Sequence, residues 1–112
     1  MELSDARIVD ALSALAQAHR LAAFRLLVEA GASGMAAGEI SRRLAVPASS
    51  LSFHLAQLER VGLVNVTRRG RSLIYAAQFE AMATLVGYLT DNCCGGDACA
   101  VTPRDQSKEK AA

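Results

Sequence analysis

The chain has 112 residues, 52% of them hydrophobic, with 12 Lys and Arg against 11 Asp and Glu. That length suits one domain with its own core. No apolar run approaches the roughly 18 residues that cross a bilayer, and no basic start leads into a cleavable apolar segment, so a cytoplasmic protein without a membrane role is expected. The near-zero net charge hides an asymmetry. Arg42, Arg43, Arg60, Arg68, Arg69 and Arg71 face Glu59 alone over residues 41–75, whereas residues 1–40 are acidic on balance. A local positive field of this kind suits contact with phosphates.

In chain order, Ser4 or Asp5 starts a helix in which Ile8, Ala11, Leu12 and Leu15 recur at helical spacing. A second helix over 18–30 carries Leu21, Phe24, Leu27 and Val28 and ends at Gly31. Residues 32–35 read as a loop. A short helix over 37–44 turns Ile40 and Leu44 inward, and the stretch 45–47 is a tight turn. The next helix spans 48–61, with Pro47 and Ser49 or Ser50 at its start and Gly62 at its end. Its Leu51, Leu55, Leu58 and Val61 form the buried stripe, leaving Ser49, Ser52, Phe53, Ala56 and Arg60 on the opposite face. The runs 63–67 and 72–76 are β-branched and aromatic, and Arg68, Arg69, Gly70 and Arg71 join them as a hairpin tip. A last helix over 78–90 lines up Phe79, Met82, Leu85, Val86 and Leu89.

Helix, tight turn, helix and arginine-tipped hairpin follow one another over residues 39–76. This is the layout of a winged helix-turn-helix DNA reader. The expected fold class is therefore mainly α with a small β-hairpin: about five helices plus a two-stranded wing. The first and last helices each carry an apolar stripe with no obvious cover, which predicts a homodimer through them and an operator that is an imperfect palindrome in double-stranded DNA. Ser49, Ser50, Ser52, Phe53, His54, Arg60, Arg68, Arg69 and Arg71 are the expected DNA-binding residues. Phe53 is open to two readings, partial packing beneath its helix or contact with a thymine methyl. His54, at the flank of the stripe, suits a hydrogen bond to a phosphate or to its own scaffold better than a metal. Arg42 and Arg43 either solvate the surface or brush phosphates. Three segments result: a DNA-binding and dimerisation domain over 1–90, a cysteine-rich inducer-binding segment over 91–102 and a disordered tail over 103–112.

Ala14-Leu15-Ala16-Gln17-Ala18-His19-Arg20-Leu21, Leu51-Ser52-Phe53-His54-Leu55-Ala56-Gln57-Leu58, and Gly62-Leu63-Val64 with Arg69-Gly70-Arg71 and Tyr75 together resemble the ArsR/SmtB family of metal- and metalloid-responsive repressors over roughly residues 5–90. The resemblance implies repression of a resistance operon, relieved when a thiophilic ion binds. It places Ser49, Ser52 and His54 near base edges or adjacent phosphates, and Arg69 and Arg71 on the backbone or minor groove. One departure stands out. Where well-known arsenic and cadmium sensors of the family carry a Cys-Val-Cys box, this chain reads Gly38-Glu39-Ile40-Ser41-Arg42-Arg43-Leu44, without a thiol.

All three cysteines instead cluster as Cys93, Cys94 and Cys99 in a glycine-rich polar stretch. Such a setting cannot bury them well, and an odd count with two adjacent thiols in a reducing compartment argues against a disulfide. Chelation fits better: Gly95 and Gly96 let the backbone curl so that three thiolates converge. Structural zinc generally takes four ligands, whereas trivalent arsenic accepts three sulfurs in a pyramid. Arsenite is the expected inducer, As(III), with Sb(III) as the same geometry on a larger atom; no constitutive cofactor is expected. Asp97 could supply a fourth ligand, and Cd²⁺, Pb²⁺, Zn²⁺ or thiol oxidation are the alternative stimuli. Some members of the family carry arsenic cysteines at this C-terminal position, and the resemblance implies the same here. No redox Cys-x-x-Cys after a strand and no phosphate-cradling glycine loop is present, so an enzyme is not expected.

Overall fold

The computed structural model describes residues 5–92 and Gly95. Five helices, α1 (Asp5–Leu15), α2 (Ala18–Ala30), α3 (Ala37–Leu44), α4 (Ala48–Arg60) and α5 (Phe79–Leu89), surround a small antiparallel sheet of β1 (Met35–Ala36), β2 (Val64–Arg69) and β3 (Ser72–Ala77). The strand order is β1-β3-β2. This is a winged helix-turn-helix. Among the described residues no helix is long and apolar enough to cross a membrane.

Helix boundaries follow local chemistry. Gln17 caps α2, its side-chain carbonyl accepting from Arg20 N at 2.9 Å, and Gly31 closes the helix at φ 79° with its N–H on the Leu27 and Val28 carbonyls. Pro47 precedes the first residue of α4, where a missing N–H costs nothing, and neither Ser49 nor Ser50 acts as a side-chain cap. Gly62 at φ 85° follows the helix, and its N–H reaches Glu59 O at 3.0 Å.

The core lies where α2, α3 and α4 meet the inner face of the sheet. Leu27, Ile40, Leu51, Leu55, Leu58 and Leu63 are fully buried, and Phe24, Val64 and Tyr75 complete the layer. Each such side chain contributes about 1.5–3 kcal/mol by leaving water. Residues Tyr75, Ala76 and Ala77 are buried in succession, so both faces of β3 are covered at that point. The cover on the second side comes from the turn that ends in Gly34, which lies against the Tyr75 carbonyl and Ala76.

Three expectations need correction. The stretch expected to be a loop up to Met35 yields a third strand, because Met35 pairs with Tyr75 and Ala36 with Ile74. The wing strands are longer than their β-branched cores suggest: the ladder runs from Val64↔Ala77 to Arg69↔Ser72, so Arg68 and Arg69 lie in β2 and the loop is only Gly70 and Arg71. Gly70 has φ 61°, as a two-residue hairpin with glycine in its first loop position requires. Finally, Leu21 of α2, expected to face the core, is exposed, while the small Ala23 takes a buried position; Leu12, Phe79, Val86 and Leu89 of α1 and α5 are exposed too, as stripes without cover. Helices that approach closely bury alanines and leave the larger neighbours outside.

Candidate nucleic-acid interface

The turn between α3 and α4 is fixed by backbone and side chain together. Ala45 adopts the left-handed conformation at φ 55°, the N–H of Val46 reaches Ser41 O at 3.1 Å, and Ser41 Oγ donates to Val46 O at 2.5 Å. Val46 is buried as the anchor. With the turn pinned and Leu51, Leu55 and Leu58 driven inward, the other side of α4 is presented to solvent: Ser49, Ser50, Ser52, Phe53 and Ala56 are all exposed. None carries a negative charge, and all but Phe53 are small, a face that fits a major groove.

His54 is different. It is half-buried; its Nδ1 lies 3.3 Å from Arg20 Nη1, and its ring centroid is 5.5 Å from that of His19 and 5.8 Å from that of Phe53. Arg20 also donates from Nε to Ala14 O at 2.7 Å. One guanidinium thus ties the end of α1 to the reading helix. Burial first, then the charges of Arg20 and His19, pushes the His54 imidazole below its ordinary value. Sequence reasoning assigned no role to Arg20, since its partner is 34 residues away.

The arginines fall into three settings. Arg43 Nε pairs with Glu39 Oε2 at 2.8 Å, and Arg42 pairs with the other oxygen of the same carboxylate. The hydrogen bond from Arg43, with Arg42 beside it, holds Glu39 below the usual carboxylate range. This pairing neutralises part of the α3 charge. Arg60, at the far end of α4 from the serines, donates to Gln57 Oε1 at 2.5 Å and lines a cleft of about 210 Å³ with Arg7, Asp10 and Ser13. Arg68, Arg69 and Arg71 are exposed at the wing tip. The structure therefore groups the serines and Phe53 on the first half of α4 and three arginines on the wing, and sets Arg60 apart from both.

Among the described residues no group of three or more His, Cys, Asp or Glu could hold a metal. Cys93, Cys94 and Cys99 lie outside the described residues, as do Gly96, Asp97 and the tail.

A pinned helix pair with a small, non-acidic outer face and a basic hairpin defines a DNA-binding module. The comparisons agree. A family model described as a helix-turn-helix domain matches residues 15–67. The transcriptional activator HlyU of Vibrio cholerae serotype O1 is 33% identical over 89 residues, covering 80% of each chain, and the HTH-type transcriptional regulator YgaV of Escherichia coli K12 is 30% identical over 83 residues, covering 74% of this chain and 82% of that one. The solved structure of HlyU from Vibrio cholerae N16961 superposes with a TM-score of 0.63 at 35% identity over 80% of this chain and 97% of that one; the same protein has also been solved as reduced HlyU. At 24% identity, the homodimeric winged helix-turn-helix domain of Mb0332 from Mycobacterium bovis, a possible ArsR-family regulator, shares the fold with a TM-score of 0.62 over 84% of this chain and 87% of that one. The chain belongs to the helix-turn-helix transcriptional regulators, with HlyU and YgaV among its relatives. Both curated relatives are transcriptional regulators, in keeping with a DNA-binding helix-turn-helix.

Proposed function

We propose that the protein is a cytoplasmic, homodimeric repressor of an arsenic-resistance operon, released from its operator when trivalent arsenic or antimony binds the thiolates of Cys93, Cys94 and Cys99. The observation that carries this reading is the position of the thiols: Cys93 follows four residues after Leu89, the end of α5. The outer face of that helix is bare, Val86 being 53% and Leu89 57% exposed, and α1 adds Val9 at 60% and Leu12 at 39%. Apolar surface left open on the first and last helices suits burial against a second copy, and the Mycobacterium bovis neighbour of this fold is homodimeric. An ion gathered by three thiolates next to that surface would shift α5 and change the spacing of the two reading helices.

On DNA, Ser49, Ser50 and Ser52 meet base edges, with Phe53 beside them. His54 keeps its proton on Nε2 and offers it to a phosphate. Arg68, Arg69 and Arg71 hold the backbone from the wing, and Arg60 adds positive charge farther along the helix. Two copies then read an imperfect palindrome with half-sites about 34–36 Å apart.

A second reading, thiol oxidation in place of ion binding, draws on one relative having been solved in a reduced form. One experiment separates the two. Fluorescence anisotropy with a promoter fragment should show release by arsenite, with a coupling of about 1–3 kcal/mol, or about 5- to 150-fold weaker binding. Cys93→Ser should abolish that release without loss of DNA binding. Release by peroxide and its reversal by thiol reductant, with no response to arsenite, would favour oxidation. Release by cadmium, lead or zinc alone would move the assignment to those ions.

A further inference from the structure

Most of the large apolar side chains left exposed in the described residues have a ready explanation: Val9, Leu12, Phe79, Val86 and Leu89 belong to α1 and α5. Phe53 does not. It stands on α4 with 58% of its surface open, and its neighbours along the same face, Ser49, Ser50 and Ala56, are too small to cover it. Leu51 and Leu55, two residues to either side, occupy the inward positions, and helical spacing therefore keeps the ring on the outer face.

The ring is also held. Phe53 meets the His54 imidazole edge-on, with centroids 5.8 Å apart and an interplanar angle of 64°. His54 is fixed in turn by Arg20, which is anchored to the Ala14 carbonyl. An exposed aromatic is thus buttressed from behind on a helix whose outer face is otherwise small and polar. It is a preorganised apolar contact rather than a loose surface residue.

A phenyl ring neither donates nor accepts a hydrogen bond, so it cannot read the polar pattern of a base edge. The apolar feature that the major groove offers is the C5-methyl group of thymine. Resting on the proposal that α4 reads a major groove, we infer that Phe53 is a specificity-determining residue that selects thymine at one position in each half-site by packing on its C5-methyl. Serine hydroxyls at 49, 50 and 52 are tolerant of base identity, so the apolar contact narrows the sequence where they do not.

The test removes the methyl group and nothing else. A high-affinity duplex is selected from a random pool with the purified full-length protein, and each thymine is replaced singly by 2′-deoxyuridine. Burial of one methyl-sized group is worth about 0.8 kcal/mol, or about fourfold in affinity. The expected result is a loss of about fourfold at one thymine per half-site for the natural protein. Phe53→Ala should bind the thymine duplex more weakly, at an unchanged melting temperature, and should no longer distinguish the deoxyuridine duplex. Selective binding with no deoxyuridine penalty at any position overturns this inference alone, as does the same penalty persisting in Phe53→Ala. Failure of the natural protein to select any duplex overturns the DNA-reading assignment and this inference with it.

Discussion

Arg20 Nη1 lies 3.3 Å from His54 Nδ1, and a guanidinium only donates, so Nδ1 must accept and the imidazole is neutral with its proton on Nε2. Protonating Nδ1 would turn this hydrogen bond into a contact between two cations. The folded-state pKa is accordingly lowered from 6.5, by burial first and then by the charges of Arg20 and His19. For a base whose folded pKa is depressed, the unfolded chain takes up the extra proton. The stability this site contributes is therefore complete above about 6.5 and is lost as pH falls from there through the folded value. Urea midpoints of the natural protein should drop between pH 7.5 and 5.5, and His54→Gln should flatten that slope. Parallel slopes for the two proteins would show that His54 is not the titrating group.

Gly34 tests a different joint. It sits at φ 73°, and a Cβ there would lie 2.3 Å from the Tyr75 carbonyl oxygen, which belongs to β3 and cannot swing aside as a side chain can. Gly34→Ala should cost about 1–2 kcal/mol for the left-handed backbone alone, with the clash added to it. Gly62→Ala, at φ 85° after the end of α4 but with open space around the new methyl, isolates the backbone part. A thermal melt in which Gly34→Ala falls no further than Gly62→Ala would mean that the β1 turn relaxes freely.

What could be read from the chain follows the range of the interactions. The α3-turn-α4 unit is local: helical spacing of Ile40, Leu44, Leu51, Leu55 and Leu58 and a proline at 47 place it to within a residue. The wing hairpin was legible as a hairpin, but its length was not. Arg68 and Arg69 have no strong strand preference and become strand through the ladder across from them. β1 was invisible for the same reason, since Met35 and Ala36 are extended only because Tyr75 and Ile74 are alongside. The Arg20–His54 bond spans two helices, and no periodicity reports it. Which apolar residues of α1 and α5 stay outside also depended on packing: Ala11 and Ala14 permit a close approach, so Leu12 is left at the rim. The cysteine cluster was the reverse case, plain in the sequence because three thiols fall within a few residues.

Salt dependence measures what the wing contributes. If Arg68, Arg69 and Arg71 of both protomers each neutralise one phosphate, log K against log salt should have a slope of about −5, at roughly −0.9 per phosphate. Arg71→Ala removes one contact from each protomer and should bring the slope to about −3.5. Arg42→Ala should change it little, because that guanidinium is already paired with Glu39. Equal changes for Arg71→Ala and Arg42→Ala would place the phosphate grip on α3 as much as on the wing.

The proposed dimer surface can be broken without touching the core. Val86 is 53% exposed on α5, so Val86→Glu removes little intramolecular packing and should leave the thermal unfolding of an isolated chain almost unchanged. Against a second copy, however, it would place a carboxylate in an apolar seam, which is strongly unfavourable. Tyr88, two residues on, donates to the Asp5 carboxylate and so links α5 to the start of α1 within one chain. Sedimentation velocity at micromolar concentration should find the natural protein as a dimer and Val86→Glu as a monomer. Operator binding should then weaken by about 10²-fold or more, because the second half-site is no longer held at high effective concentration by the first. A Val86→Glu protein that still sediments as a dimer would move the interface away from α5, and with it the route by which a thiol-bound ion could reach the reading helices.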